Sequence, residues 1–213
     1  MLTFKPATDQ KLNILCLGAH CDDIEIGAGA TLLRLFKEYN VNRVGWTVFT
    51  SNEIRKREAE NSAACFLSGI PDRKIIIHKF RDGFLPYQAV EIKEHFEELK
   101  QIFEPDIIFT HYRNDSHQDH RLINELTWNT WRNNMVLEYE IPKYDGDLGN
   151  PNLYIPVDEE DIIRKTEFLK ENFVSQAEKH WFRGDPFRSL ARIRGIESAA
   201  QFAEAFYARK MIL

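Results

Sequence analysis

No dense block of lysine and arginine occurs in these 213 residues: 28 basic side chains are interspersed with 33 acidic ones, for a formal net charge of −5. Nothing here neutralises a phosphate backbone, so nucleic acid is not expected as a partner. Nor does any apolar run approach the ~18 residues of a membrane span. Met1 to Lys11 lacks the long apolar region of a secretory signal, so a cytoplasmic location is expected. Cysteine is scarce. Cys16, Cys21 and Cys65 are an odd number at spacings that fit neither a zinc knuckle nor a disulfide framework, which agrees with a reducing compartment. Internal repeats, low-complexity tracts and Pro/Gly/Ser-rich linkers are missing too. With 43% hydrophobic residues, the chain is long enough for one well-buried core and short for two, so residues 1–213 are expected to form a single domain.

What the chain does contain is an alternation of short apolar runs with helix-period patterns, the signature of an α/β, Rossmann-like doubly wound sheet, mostly parallel and flanked by helices. Strands are expected at 13–18, 43–50, 74–78, 106–110, 135–141 and 153–157. Ile75, Ile76 and Ile77 read as an uninterrupted core strand. Helices are expected at 27–39, from a cap at Ser51 or Asn52 to Leu67, from Pro86 with a buried stripe of Ile92, Phe96, Leu99 and Phe103, and at 118–131. The C-terminal part is expected to be a helical and strand extension, with helices at 158–173, from Ser175, and from Ser198 to Ala208.

Two polar clusters interrupt this pattern, each at the carboxyl end of an expected strand. The first is Gly18-Ala19-His20-Cys21-Asp22-Asp23; the second is His111-Tyr112-Arg113-Asn114-Asp115-Ser116-His117-Gln118-Asp119-His120. Strand ends of this kind carry α/β active sites, and neighbouring parallel strands would join the two loops into one site. His20 and Asp23 have the chemistry of borderline-metal ligands, which leaves Asp22 to act on whatever the metal binds. His120 falls in the first turn of a helix, where the dipole disfavours protonation, and a neutral imidazole is what a metal requires. Ser116, His117 and Asp119 are too close in sequence for a nucleophilic triad. His111, Asp115 and Glu25 lie close in sequence to these residues, and strand-end polarity for His111 and helix capping for the other two account for them at least as well as a place in the site; His78, His95 and His180 read as solvent-facing or locally satisfied.

These two clusters resemble the LmbE-like, or PIG-L, family of zinc-dependent de-N-acetylases, whose first motif runs Ala-His-Pro-Asp-Asp and whose second ends His-x-Asp-His. Between them, Arg57, Glu60 and Gly69 look like the family's Arg-x-x-Glu helix ending in Leu-Gly, and Arg81-Asp82-Gly83 like its sugar-contacting turn. Phe202-Ala203-Glu204-Ala205-Phe206 is similar to its Tyr-Ala-Glu-x-Phe signature. The resemblance implies His20, Asp23 and His120 as ligands of Zn2+ (Fe2+ or Co2+ being alternatives) and Asp22 as general base. It implies His117 as the group that steadies the oxyanion and protonates the leaving amine, with Asp119 orienting that imidazole, and Arg57 and Asp82 as contacts to sugar hydroxyls. The implied reaction is hydrolysis of the N-acetyl group of an amino sugar or sugar conjugate, releasing acetate. Three positions depart from the family: Cys21 for proline, Ser68 for leucine and Phe202 for tyrosine. Two other functions use the same residues. A non-haem iron enzyme shares the His/His/Asp set but has no evident need of Asp22; a non-catalytic sugar-binding protein need not keep Asp22 and His117.

Overall fold

The computed structural model describes residues 5–7 and 10–212. In chain order the elements are β1 (Leu12–Gly18), α1 (Asp23–Glu38), β2 (Val41–Thr50), α2 (Glu53–Phe66), β3 (Asp72–Phe80), a 3₁₀ turn (Leu85–Gln88), α3 (Ala89–Ile102), β4 (Ile107–His111), α4 (Gln118–Thr130), β5 (Met135–Tyr139), β6 (Leu153–Val157), α5 (Glu159–Asn172), a second 3₁₀ turn (Val174–Gln176), α6 (Gly184–Glu197) and β7 (Phe202–Ala208). The strands form one sheet in the order β3-β2-β1-β4-β5-β7-β6. From β3 to β5 every pairing is parallel, and β7 lies antiparallel between β5 and β6.

Alternation along β1 shows why both faces are covered. Ile14 and Cys16 point into the core shared with α1, α2 and α5, and Leu15 and Leu17 into the core shared with α3 and α4. A strand buried on both sides reads as a continuous apolar run, as residues 14–17 do. Helix α1 lies close on the sheet because Gly27 has no side chain; a Cβ there would sit 2.2 Å from the Tyr139 ring. The chain first winds from β1 outward through β2 to β3, then returns to lay β4 against the other side of β1. The gap between β1 and β4 is thus the switch point of the winding, where α/β sheets bind ligands.

The structure corrects the expectations at β3, at the C-terminal segment and at the start of α1. The isoleucines of β3 are only half-buried, because β3 is the edge strand and lacks a neighbour on one side. The segment expected as a terminal helix is instead β7. Its alanines and glutamate favour helix locally, yet strand pairing on both edges outweighs that preference. Helix α1 also starts earlier than expected, at Asp23, which puts the first polar cluster into its opening turn.

Candidate metal and catalytic site

β1 and β4 are adjacent, with Ile14 opposite Ile107 and Cys16 opposite Phe109, so the loops leaving Gly18 and His111 meet above the sheet. Thr50 steadies the first loop. Its N–H and its hydroxyl both donate to the Ala19 carbonyl, each at 2.8 Å. Three donor atoms then converge: His20 Nδ1 lies 3.0 Å from His120 Nε2 and 3.2 Å from Asp23 Oδ2, and His120 Nε2 lies 3.5 Å from Asp23 Oδ2. Ligands about 2.0–2.1 Å from a tetrahedral ion stand about 3.3–3.4 Å apart. The triangle has those dimensions, and two imidazoles with a carboxylate fit a borderline divalent metal.

Surrounding groups set the charge of this triangle. Asp23 Oδ2 also accepts the His20 backbone N–H at 2.6 Å. Burial would raise the Asp23 carboxyl, but the facing His120, His20 and His111 hold it well below the ordinary range. His120 is pushed down to about 3 by burial and by His111, so its imidazole is neutral. Its Nδ1 is 2.9 Å from Asp115 Oδ2; a proton on Nδ1 leaves the Nε2 lone pair facing the triangle. Lys143 Nζ binds the same Asp115 oxygen at 2.9 Å. For His20, burial lowers the pKa but Asp23, Asp119 and Asp82 together raise it well above the usual value. These carboxylates favour a positive charge at His20.

The second cluster supplies the rest. His117 is the N-cap of α4; its Nδ1 accepts the Asp119 backbone N–H at 3.2 Å, which puts the neutral ring's proton on Nε2. Its ring centroid is 4.7 Å from those of both His20 and His120. The Asp119 carboxylate does not touch the His117 ring through a hydrogen bond, as the orienting role would have it. It accepts the N–H of Gly83 at 2.7 Å and of Leu85 at 3.1 Å, and its Oδ2 stands 3.5 Å from His20 Nε2. This clamp draws in the loop after β3, so that Asp82 Oδ1 comes within 3.1 Å of His20 Nε2.

Asp22 is buried beside the triangle, and Arg55 Nη2 donates to its Oδ1 at 2.8 Å. Burial pushes the Asp22 carboxyl up, Arg55 opposes this, and Asp23 adds to it. Arg57 stays outside the cluster, exposed on α2. Two helical residues are about 200° of rotation apart, so Arg55 and Arg57 face different ways. The Arg-x-x-Glu spacing recurs at Arg55 and Glu58, and it is this pair that faces the site. His111 was also missed as a site residue. It is fully buried, its Nε2 is 3.2 Å from Asp23 Oδ2, and its ring stacks on His120 at 3.9 Å. Its place at the last position of β4 was the signal, since that is where ligand-binding side chains emerge.

Residues 15–131 match the family model described as PIG-L, GlcNAc-PI de-N-acetylase. The chain belongs to this family of sugar de-N-acetylases. Among solved structures it is similar to the N,N'-diacetylchitobiose deacetylase from Pyrococcus horikoshii, at 22% identity and a TM-score of 0.71 over 92% of this chain and 83% of that one. A conserved protein of Thermus thermophilus matches at 19% identity and a TM-score of 0.73 over 95% and 96% of the two chains. GalB of Pseudomonas putida, a 4-carboxy-2-hydroxymuconate hydratase, matches at 12% identity and 0.72 over 95% and 98%. A fold that carries a hydratase as well as a deacetylase does not decide the reaction; the side chains must. No helix among the described residues is long and apolar enough to cross a membrane.

Proposed function

We propose that this protein is a metal-dependent N-deacetylase acting on an N-acetylated amino sugar or sugar conjugate. The reading rests on one observation: the triangle of His20, Asp23 and His120, with the buried carboxylate of Asp22 next in sequence to Asp23 and the His117 ring 4.7 Å from those of His20 and His120. In this reading His20, Asp23 and His120 hold the ion, Zn2+ by donor chemistry, with Fe2+ or Co2+ as the alternatives. A bound divalent ion supplies polarisation of the amide carbonyl and a more acidic water. Asp22 accepts the proton of the attacking water as its oxygen bonds to the carbonyl carbon. His117 donates its Nε2–H as a hydrogen bond to the oxyanion that forms, and the proton taken up by Asp22 passes to the nitrogen as the C–N bond breaks. Acetate and a free amine result. In this reading Asp82, carried in by the Asp119 clamp, accepts a hydrogen bond from a sugar hydroxyl.

Strands from residues 12 to 208 share one sheet, so we read 1–213 as one catalytic domain. A mass-spectrometric screen of zinc-loaded protein against a panel of N-acetylated sugars tests the proposal. Loss of an acetyl group from at least one member, with equimolar acetate, is expected. Turnover that requires oxygen and an oxoacid, or stoichiometric metal with no hydrolysis of any member, contradicts it.

A further inference from the structure

We infer that Arg55 is a positioning residue that holds the Asp22 carboxylate in the site, and that Ser175, outside the family-matched residues, completes the holder. The inference rests on the base role proposed for Asp22. By position Asp22 is the N-cap of α1, with φ −113° and ψ −3°. An aspartate there ordinarily turns back to accept the N–H of the second or third helical residue, here Ile24 or Glu25. Asp22 makes no such bond. Its carboxylate is drawn instead to Arg55, whose side chain is 15% exposed against 7% for Asp22.

Arg55 is in turn fixed on its other sides. Its backbone N–H is capped by Asn52 Oδ1 at 2.9 Å, its Nε is 3.8 Å from Glu58 Oε2, and its guanidinium lies over the Phe173 ring, 5.5 Å from the centroid. Glu58 is tied down by Ser175, which donates its N–H at 2.8 Å and its hydroxyl at 2.7 Å. The second 3₁₀ turn thus reaches the base through Glu58 and Arg55. An N-cap aspartate has two favourable partners, the helix amides and the guanidinium. Removing the guanidinium returns the carboxylate to the amides of Ile24 or Glu25, out of the position that Arg55 gives it. Lysine lacks the planar fork and does not substitute fully.

The test uses the metal-loaded full chain and two variants, Arg55→Met and Ser175→Ala. For Arg55→Met, metal stays stoichiometric, KM is unchanged, and kcat falls by about 10–100-fold, the usual cost of losing a partner that orients an active group. Added guanidinium restores part of that loss, and a crystal structure of the variant has Asp22 on the α1 amides. Ser175→Ala moves kcat in the same direction by less. A higher KM at unchanged kcat makes Arg55 a substrate contact and overturns the inference; so does loss of metal with activity, or Asp22 unmoved in the variant crystal. If the native protein releases no acetate, the deacetylase reading fails, while the position of Asp22 in the Arg55→Met crystal still decides this one.

Discussion

The Asp119 carboxylate accepts the backbone N–H of Gly83 at 2.7 Å, and this bond couples the loop after β3 to the first turn of α4. Gly83 has φ +78°, a conformation that other residues adopt only with strain, and the bend it makes leaves Asp82 pointing at His20.

Asp119→Ala is expected to release that loop. KM rises by about 10-fold or more, the scale of losing such a supporting contact. The melting temperature falls as well, since two amides, of Gly83 and Leu85, lose their partner. The His117 ring stays in place because its partner is the backbone N–H of residue 119, which alanine keeps. Steady-state kinetics decide the point: a fall confined to kcat would return Asp119 to the role of orienting His117.

Asp22 and Asp23 are adjacent yet differ in partners, Arg55 for one and three imidazoles for the other. Asp22→Asn therefore keeps the metal while turnover falls by on the order of 10²–10⁴, the usual worth of a positioned base. Asp23→Asn weakens metal binding, and excess zinc partly restores it. Metal analysis alongside kinetics checks both, and rescue of Asp22→Asn by zinc would reverse the assignment.

Cys21→Pro is expected to keep metal and activity. The thiol is buried and donates to the Thr50 carbonyl at 3.2 Å, and burial pushes its pKa up to about 12, which disfavours the thiolate that a metal would need. A large drop in zinc affinity, measured by competition with a chelating dye, would show that the sulfur coordinates.

Glu25 is fully buried, and burial, with help from Asp22 and Asp23 and against a hydrogen bond from Ser62, pushes its pKa up to about 8. In the unfolded chain it titrates near ~4.3. Between those values the folded state holds a proton that the unfolded state has released, so this group's contribution to stability falls as pH rises. In metal-free protein, Glu25→Gln should raise the melting temperature at pH 8 far more than at pH 5. Equal shifts at both pH values would remove the buried-proton explanation.

The ligand-type residues were legible because residue type and strand-end position both mark them. His20, Asp23 and His120 meet since β1 and β4 are neighbours, a pairing that the alternation of elements already favours. Helix phase was not legible: Arg55-x-x-Glu58 and Arg57-x-x-Glu60 carry the same spacing, and only the cap at Asn52 and the packing on Phe173 choose between them. By sequence Asp115 reads as a helix cap. It does accept the His117 N–H, at 2.8 Å, but its second oxygen holds His120, a partner that only the folded turn supplies. β7 was hidden for a different reason. Its Phe-Ala-Glu-Ala-Phe run has no strand signal of its own and becomes a strand by pairing on both sides, with Glu204 turned to Lys165 at 2.6 Å.

Acetate release followed through removal and return of metal tests the central claim most directly. Purified protein is stripped with a chelator, assayed on an N-acetylated sugar that the native protein cleaves, then given one equivalent of Zn2+. Activity should vanish on stripping and return at one ion per chain, and in His120→Ala neither the ion nor the activity should be retained. Hydrolysis that persists in stripped protein, or a His120→Ala variant that binds one ion and turns over at the native rate, would contradict the account.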